Sequence, residues 1–210
     1  MKKSWLVLAI STLACLLAAC GDSKGKYAAL PAGSIVLALG DSITQGVGAN
    51  AQEAWPVLLA TQSGWQVINA GVSGDTSEQA LARLPALLRE HRPALVIVSI
   101  GGNDFLRRQP DSATRANIDA ILTAIAQDGS QAVLIGVPAL GLGAALGMPS
   151  DHDLYAELAQ KHKVPLLSGA WGEVMRESRW MSDQVHPNAQ GYAEFAERLR
   201  TFLVNQGFLR

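Results

Sequence analysis

The sequence predicts an α/β protein, a three-layer α/β/α sandwich around a parallel sheet of about five strands. Short apolar runs alternate with longer segments of helical periodicity over residues 34–210, which are expected to form one domain without internal repeats. Continuous apolar runs are typical of strands buried on both faces. Strands that alternate with helices pair in parallel through right-handed crossovers, and this indicates the sandwich.

The predicted strands are short apolar segments. Residues 35–39 form an apolar run that ends at Gly40, and residues 94–100 are rich in β-branched side chains. The remaining strands are residues 65–70, 132–137 and 164–167. Sites in such sheets lie at the carboxyl ends of the strands, so the residues that follow each strand are candidates for function.

The predicted helices are the segments with apolar residues at helical spacing. Pro56 suits the first turn of the first helix, and Pro85 is expected to kink the second. The helices are residues 53–62, 76–91, 113–127, 151–162 and 189–204.

The N-terminal residues are typical of an export signal. Lys2 and Lys3 precede an apolar run from Trp5 to Ala19. A basic start followed by such a run is the layout of a secretory signal peptide. The run is shorter than the roughly 20 residues that a transmembrane helix needs.

The end of this run, Leu17–Cys20, resembles the lipobox of bacterial lipoproteins. The resemblance implies a signal peptide over residues 1–19, a lipid on Cys20 and a small polar tether over residues 20–33. The expected location is the periplasmic side of the cell envelope, on the outer membrane, because Gly21 rather than Asp follows the cysteine. An ordinary signal peptide with a chance cysteine and a retained membrane helix are the alternatives.

Composition excludes several functions. The formal net charge is −1, which argues against a nucleic-acid-binding protein. Cys15 and Cys20 are the two cysteines, so the body of the chain has neither disulfides nor cysteine catalysis. Hydrophobic residues make up 49% of the chain, enough for a sizeable core.

A motif follows each of the first three predicted strands, on one rim of the sheet. Gly40–Thr44 (GDSIT) places Ser42 just past a strand end, although it is not the G-x-S-x-G elbow. Gly71–Thr76 (GVSGDT) puts the Gly74 N–H near a helix N-terminus, which favours negative charge. Gly101–Asp104 (GGND) lets the backbone approach a ligand. Taken alone, each motif is explained as well by a turn or a helix cap.

A fourth motif, Asp183–Asn188 (DQVHPN), precedes the last helix. In a tight turn the Asp183 carboxylate can hold the Nδ1–H of His186 and leave Nε2 free to take a proton from a serine. A surface histidine followed by Asn188 as a helix cap is the alternative. Together the four motifs offer the nucleophile, base, orienting group and oxyanion donors that serine hydrolysis needs.

The four motifs resemble the conserved blocks of the SGNH (GDSL) hydrolases. The similarity covers residues 35–203 and is closest to the bacterial multifunctional thioesterase, arylesterase and lysophospholipase branch, which the stretches SGDTSEQALARLPALLREHRP and AWP also resemble. The resemblance implies a flavodoxin-like sandwich and neither a metal nor an organic cofactor.

The same resemblance implies a role for each residue that matches a block. Ser42 would be the nucleophile, His186 the base and Asp183 its orienting group. The backbone N–H groups of Ser42 and Gly74 and the side-chain amide of Asn103 would form the oxyanion hole. The implied reaction is hydrolysis of carboxylic esters or thioesters, such as aryl esters, lysophospholipids and acyl thioesters, through an acyl-enzyme.

The expected partners are a small-molecule acyl ester and the membrane reached through the lipid on Cys20, and the chain is expected to be a monomer. A carbohydrate or peptidoglycan O-deacetylase would use the same site. A binding lipoprotein without turnover is another alternative. A nucleotide-binding flavodoxin-like module ranks last because the segment from Gly40 to Gly48 has neither a Walker lysine nor G-x-G-x-x-G.

Other noticeable residues are interpreted as structural. Residues 138–149 (PALGLGAALGMP) form either a mobile flap over an acyl chain or a loop that covers the core. Asp151–Asp153 (DHD) is a helix start rather than a metal site. Arg107 and Arg108 could meet an anionic head group, but a solvated face is the simpler interpretation. The remaining histidines and four tryptophans are assigned to charged helices and to packing; they are His91, His152, His162, Trp55, Trp65, Trp171 and Trp180.

Overall fold

The computed structural model describes residues 27–139 and 149–210. The predicted signal peptide and Cys20 lie outside the described residues, as does most of the glycine-rich segment 138–149. None of the helices in these two ranges combines the length and the apolar character that a membrane span requires.

The described strands form one parallel sheet in the order β2-β1-β3-β4-β5. This is the strand order of flavodoxin-like folds, and it confirms the predicted sheet. The strands are β1 (Ile35–Gly40), β2 (Gln66–Gly71), β3 (Leu95–Ser99), β4 (Gln131–Ile135) and β5 (Leu166–Leu167).

All of the predicted helices are present, each with ends within three residues of the prediction. In residues 27–139 and 149–210, three further short helices follow strands at the carboxyl edge of the sheet. Their length of four to seven residues is too short for a periodicity to reveal them. The helices are α1 (Ser42–Gln45), α2 (Trp55–Ser63), α3 (Ser77–His91), α4 (Gly102–Leu106), α5 (Asp111–Asp128), α6 (Leu154–His162), α7 (Ala170–Arg176) and α8 (Ala189–Gln206).

Two apolar cores flank the sheet because alternate residues of each strand point to opposite faces. Val36 and Ala38 of β1 belong to the core that also contains α2, α7 and α8. Leu37 and Leu39 belong to the core that contains α3, α5 and α6. The helices therefore cover both faces, and the three-layer sandwich is confirmed. The four tryptophans assigned to packing are all buried.

The start of α6 differs from the prediction. Asp151 pairs with Pro138 in an antiparallel bridge, and the His152 N–H donates to the Val137 carbonyl at 3.1 Å. Asp151 is thus part of a short β-bridge, and the helix begins at Leu154. The same pairing brings together the two ends of the glycine-rich segment.

Two residues near the end of the predicted tether contact the domain. The Tyr27 ring stacks on Phe208 at 4.5 Å, and the Leu30 N–H donates to the Phe208 carbonyl at 2.8 Å. The Leu30 carbonyl in turn accepts from the Trp65 indole. Tyr27 and Leu30 are partly buried against the core that contains α8.

Candidate active site

Ser42 lies at the first turn of α1, immediately beyond β1. Asp41 is the N-cap, and its Oδ1 accepts from the Ile43 N–H at 3.1 Å. At Gly40 the turn leaves no room for a side chain, because a Cβ would lie 2.0 Å from Thr44 Oγ1 and 2.6 Å from the Ser99 carbonyl. This close packing requires glycine before the Asp–Ser pair and presents Ser42 at the carboxyl edge of the sheet.

The turn from Ser182 to Asn188 brings a histidine and a carboxylate to Ser42. His186 Nε2 lies 3.1 Å from Ser42 Oγ, and its Nδ1 lies 2.8 Å from Asp183 Oδ2. The Ser182 N–H donates back to the His186 carbonyl at 2.8 Å, which closes the turn. Asn188 then caps α8, since its Oδ1 accepts from the Gly191 N–H at 3.1 Å. The same turn thus positions the histidine and starts the helix.

Asp183 is held in its ionised form although its side chain is half exposed. Hydrogen bonds from the His186 ring and from the His186 and Val185 N–H groups lower the pKa of Asp183 to about 2. Those two N–H groups donate to Oδ1 at 2.8 and 2.7 Å, which leaves Oδ2 to face the imidazole. A carboxylate fixed in this way keeps a proton on Nδ1 and leaves the lone pair of Nε2 directed at the serine.

The second motif forms a turn that is held from two sides. Gly74 has a φ of +84°, a conformation that favours glycine. Asp75 accepts from Arg83 Nε at 2.7 Å, and the same guanidinium donates to the Gly40 carbonyl at 2.8 Å. Thr76 caps α3 in a capping box with Gln79. Thr76 therefore caps the helix, and Asp75 connects this loop to the first one through Arg83.

The third motif, Gly101–Asp104, is hydrogen-bonded to the second motif and to the helix that follows it. Asn103 on α4 donates one amide hydrogen to the Asp75 carbonyl at 2.9 Å. The fully buried Asp104 accepts from the Ser77 N–H at 2.8 Å and from the Ser77 hydroxyl at 2.5 Å. These hydrogen bonds connect two loops that are distant in sequence, and together the loops support the site.

N–H donors of the three motifs that follow β1, β2 and β3 remain available. Within residues 27–139 and 149–210, neither the Ser42 N–H nor the Gly74 N–H donates to a protein acceptor. The Asn103 amide has a second hydrogen beyond the one given to Asp75. Donors that lack protein partners at the end of a sheet are what an oxyanion requires.

Asp41 is the most perturbed carboxyl at the site. It is 7% exposed, and burial raises its pKa to about 6 against the lowering effects of the Ile43 N–H and of nearby His186. The carboxylate of Asp75 adds to the increase. The loss of hydration outweighs the hydrogen bond and the opposite charge, so this group takes up a proton far more readily than a free aspartate.

An apolar cavity of about 90 Å³ lies beside residues that neighbour Ser42 and His186 in sequence. Its lining includes Asp41 and Ile43, which flank Ser42, and Val185, which precedes His186. Buried Trp171 and Ser99 also line it, whereas Leu106 at 48% exposure lies at the solvent side. The lining therefore combines residues next to two of the motifs with buried residues of the core.

The structure brings Ser42, Asp183 and His186 into contact and leaves the other histidines elsewhere. His152 stacks on Phe105 and lies 3.1 Å from Asp111, and His162 lies 2.6 Å from Asp119. Asp151 accepts from the Gly169 N–H at 2.7 Å. Among the residues that the structure describes, no three side chains of His, Cys, Asp or Glu are grouped as metal ligands.

Sequence reasoning missed the residues that support the motifs. Arg107 was assigned to a solvated face, but its guanidinium donates to the Gly74 carbonyl at 2.8 Å. No role was predicted for Arg83 or Ser77, because the sequence around each is that of an ordinary helix. Ser77, a polar residue at a helix start, carried a weak signal, whereas Arg83 within α3 and Arg107 at the end of α4 carried none.

Comparisons with known proteins agree with this geometry. Residues 38–194 match the GDSL-like Lipase/Acylhydrolase family. The chain is 39% identical over 163 residues to thioesterase 1/protease 1/lysophospholipase L1 of Escherichia coli strain K12, covering 75% of this chain and 77% of that protein. It is 32% identical over 183 residues to an arylesterase of Vibrio mimicus, covering 84% and 92% of the two chains.

A solved structure extends the likeness to three dimensions. The psychrotrophic esterase EstA from Pseudoalteromonas sp., inhibited by monoethylphosphonate, superposes with a TM-score of 0.72 at 26% identity. The match covers 81% of this chain and 97% of the esterase.

Proposed function

The chain belongs to the GDSL-like Lipase/Acylhydrolase family, and we propose that it is a serine esterase that hydrolyses carboxylic esters or thioesters through an acyl-enzyme on Ser42. The observation that carries the proposal is the hydrogen-bonded series Ser42 Oγ, His186 Nε2 at 3.1 Å, and Asp183 Oδ2, which lies 2.8 Å from His186 Nδ1. The names of the relatives support the same reaction class.

In the first half of the reaction, His186 Nε2 removes the Ser42 proton as Oγ attacks the acyl carbonyl. His186 then gives that proton to the departing alcohol or thiol. In the second half, water is deprotonated by the same nitrogen and attacks the acyl-serine, which releases the acid. Asp183 stabilises the imidazolium that forms in each half, and its pKa of about 2 keeps it ionised throughout the working range of pH.

The oxyanion of each tetrahedral intermediate needs donors that are in place beforehand. We assign them to the N–H groups of Ser42 and Gly74 and to the second amide hydrogen of Asn103. The hydrogen bond from Asn103 to the Asp75 carbonyl supports this assignment, because it fixes the amide while leaving one hydrogen free. Fixed donors stabilise developing charge without reorganising at the moment of reaction.

The expected substrates are small acyl esters, including aryl esters, lysophospholipids and acyl thioesters. A carbohydrate O-deacetylase is the second candidate, since the cavity beside Ser42 has ample room for an acetyl group. The same triad would serve both, so the leaving group and the acyl length distinguish them.

We further propose that the protein is exported, carries a lipid on Cys20 and acts as a monomer at the cell envelope. The support is the basic start, the apolar run and the lipobox-like Leu17–Cys20, all in residues outside the described structure. Growth with labelled palmitate tests it: label should enter the full-length chain and be lost in Cys20→Ala.

The first experiment uses the detergent-purified full-length protein on p-nitrophenyl esters from acetate to decanoate. Ser42→Ala should lose ester hydrolysis by at least about 10⁴-fold with an unchanged melting temperature. Ser112→Ala is the matched control, because Ser112 is exposed on α5. Hydrolysis that survives in Ser42→Ala, or none in the folded wild type, would refute the proposed function.

A further inference from the structure

Arg83 of α3 joins the first motif, residues 40–44, to the second, residues 71–76. We propose that Arg83 is a positioning residue for acyl transfer and sets the spacing between Ser42 and the oxyanion donors. It does so by bridging Asp75 and the Gly40 carbonyl. The inference rests on the proposed function, because it assigns a role in aligning the groups of that reaction.

The position of Arg83 in α3 allows its side chain to reach the edge of the sheet. Ala80, Leu84 and Leu88 form the buried stripe of α3, and Arg83 lies beside this stripe with 24% of its side chain exposed. Side chains on a helix lean toward its N-terminus, which for α3 is the end beside the second motif. Asp75 is eight residues away in the chain, or about two helical turns, so a long side chain is needed to reach it.

The guanidinium contacts the two motifs with different nitrogens. Its Nε donates to Asp75 Oδ2 at 2.7 Å, and its Nη2 donates to the Gly40 carbonyl at 2.8 Å. Within residues 27–139 and 149–210, Arg83 is the one hydrogen-bond donor to the buried Asp75 carboxylate. A guanidinium is a rigid fork and fixes both contacts at once, whereas the ammonium of lysine is a single point of charge.

Asp75 connects this bridge to the oxyanion donors. Its carbonyl accepts from the Asn103 amide at 2.9 Å, and its N–H donates to the Val72 carbonyl at 3.1 Å. Gly74, whose N–H is another assigned donor, directly precedes it in the chain. A displacement of Asp75 therefore moves the donors at Gly74 and Asn103 together.

The other end of the bridge lies two residues before the nucleophile. Gly40 ends β1, and its carbonyl also accepts from the Val72 N–H at 3.2 Å. A further contact between the two motifs runs from the Ser73 N–H to Gln45 Oε1 at 2.9 Å, on an exposed side chain. Both bonds reach only the first half of the second motif, whereas the guanidinium reaches the residue that holds the Asn103 amide.

Misplaced oxyanion donors should slow the reaction rather than weaken binding. A displacement of about 1 Å can lower a rate about 100-fold. The donors stabilise the tetrahedral intermediate more than the bound ester, so the loss should appear in kcat with little change in KM. Arg83 has no hydrogen bond to Ser42 or His186 and acts on the reaction only through the residues that it holds.

The decisive variant is Arg83→Lys, which keeps the charge beside Asp75 but cannot hold both acceptors. We expect kcat for p-nitrophenyl esters to fall about tenfold, with KM within about threefold of the wild type. The pH dependence of kcat/KM should be unchanged, since His186 keeps its contact with Asp183. Arg83→Met should lower kcat by about 100-fold and also lower the melting temperature, because a buried carboxylate loses its partner.

A double-mutant cycle with Asn103→Ala tests whether Arg83 acts through the oxyanion donors. In the Asn103→Ala background, Arg83→Lys should lower kcat by no more than about threefold, because one donor that it positions has been removed. A loss of about tenfold in both backgrounds would show that Arg83 acts independently of Asn103 and would overturn the inference.

Arg115→Lys is the matched control. Arg115 of α5 also joins two elements through an ion pair, in this case with Glu157 of α6, and its side chain is 38% exposed. Neither residue belongs to the four motifs. The control should leave both kcat and KM unchanged. A loss of kcat equal to that of Arg83→Lys would mean that any broken ion pair between elements slows the enzyme, which would overturn the inference.

The outcomes separate this inference from the proposed function. A folded wild type that hydrolyses no ester contradicts the serine esterase itself. Ser42-dependent hydrolysis that Arg83→Lys retains in full leaves the esterase in place and overturns the positioning role. A loss that appears in KM alone also overturns it, because misplaced oxyanion donors affect the tetrahedral intermediate and not the bound ester.

Discussion

The two halves of the candidate site are built in different ways. The base-bearing turn, residues 182–188, is local: Asp183 bonds within three residues to Val185 and His186, and its side chain is 55% exposed. The oxyanion side joins distant segments, since Asn103 contacts Asp75 across 28 positions and Arg83 contacts Gly40 across 43. Its Asp104 is fully buried.

Because of this difference, we expect substitutions in the two halves to affect turnover and stability to different extents. A turn near solvent can lose a side-chain contact with little effect on folding, because exposed ion pairs contribute only about 0–1 kcal/mol. Removing a partner from a buried polar group costs about 1–3 kcal/mol, because the group left behind is not hydrated. Variants of the turn should therefore affect turnover alone, and variants of the oxyanion side should affect both quantities.

The largest effect is expected for Asp183→Asn in the local turn. The amide cannot stabilise the imidazolium and favours the wrong tautomer of His186, so kcat should fall by about 10³–10⁴-fold. The melting temperature should change by no more than about 2 °C, because the group is exposed.

Steady-state kinetics and thermal unfolding of the same preparation check this prediction. Asp153→Asn, an exposed aspartate at the start of α6, is the control and should leave kcat unchanged. A large loss of stability in Asp183→Asn would show that the turn is not the independent unit described above.

A smaller loss of activity, together with a loss of stability, is expected for Asn103→Ala. Removing one oxyanion donor should lower kcat by about 100- to 1,000-fold. The Asp75 carbonyl also loses its hydrogen bond, so the free energy of unfolding should fall by about 1 kcal/mol.

Asn117→Ala is the control that separates loss of structural support from loss of the Asn103 donor. Asn117 donates to the Ser77 hydroxyl at 3.0 Å and so belongs to the support without facing the reacting atoms. It should cost a similar amount of stability and lower kcat by less than about tenfold. Equal losses of kcat in the two variants would refute a direct role for the Asn103 amide.

The smallest effect is expected for Asp41→Asn, and it depends on pH. Asp41 has a pKa of about 6 in the folded chain and about 3.8 when unfolded, so the native state binds the proton more tightly between these values. In that window the free energy of unfolding falls as the pH rises, and above about pH 6 the full cost of the buried charge is present.

Asparagine removes this charge and still offers an oxygen to the Ile43 N–H. The variant should be more stable than the wild type by about 1–3 kcal/mol at pH 8 and by much less at pH 4. Urea unfolding at both values measures the difference. A stability gain that is the same at pH 4 and pH 8 would show that ionisation of Asp41 is not its cause.

Features that depend on short stretches of sequence were predicted well. The apolar runs located each strand, and helical spacing located the five long helices within three residues. The spacing of Asp183 and His186 within one turn sufficed to predict their pairing. Composition did not reveal the contacts that Tyr27 and Leu30, a few apolar residues among polar ones, make with Phe208.

The sequence by itself determined the order of strands and helices, the positions of the four motifs and the residue types available for acyl transfer. Only the tertiary structure decided that Ser42 meets a histidine 144 positions away and that Arg83 and Arg107 hold the loops. It alone places Trp171 both in the core and in the lining of the cavity near Ser42. The spacing of apolar residues indicates which side chains are buried, because burial follows the local backbone repeat. The partner that it meets depends on strand order, register and packing across the whole domain.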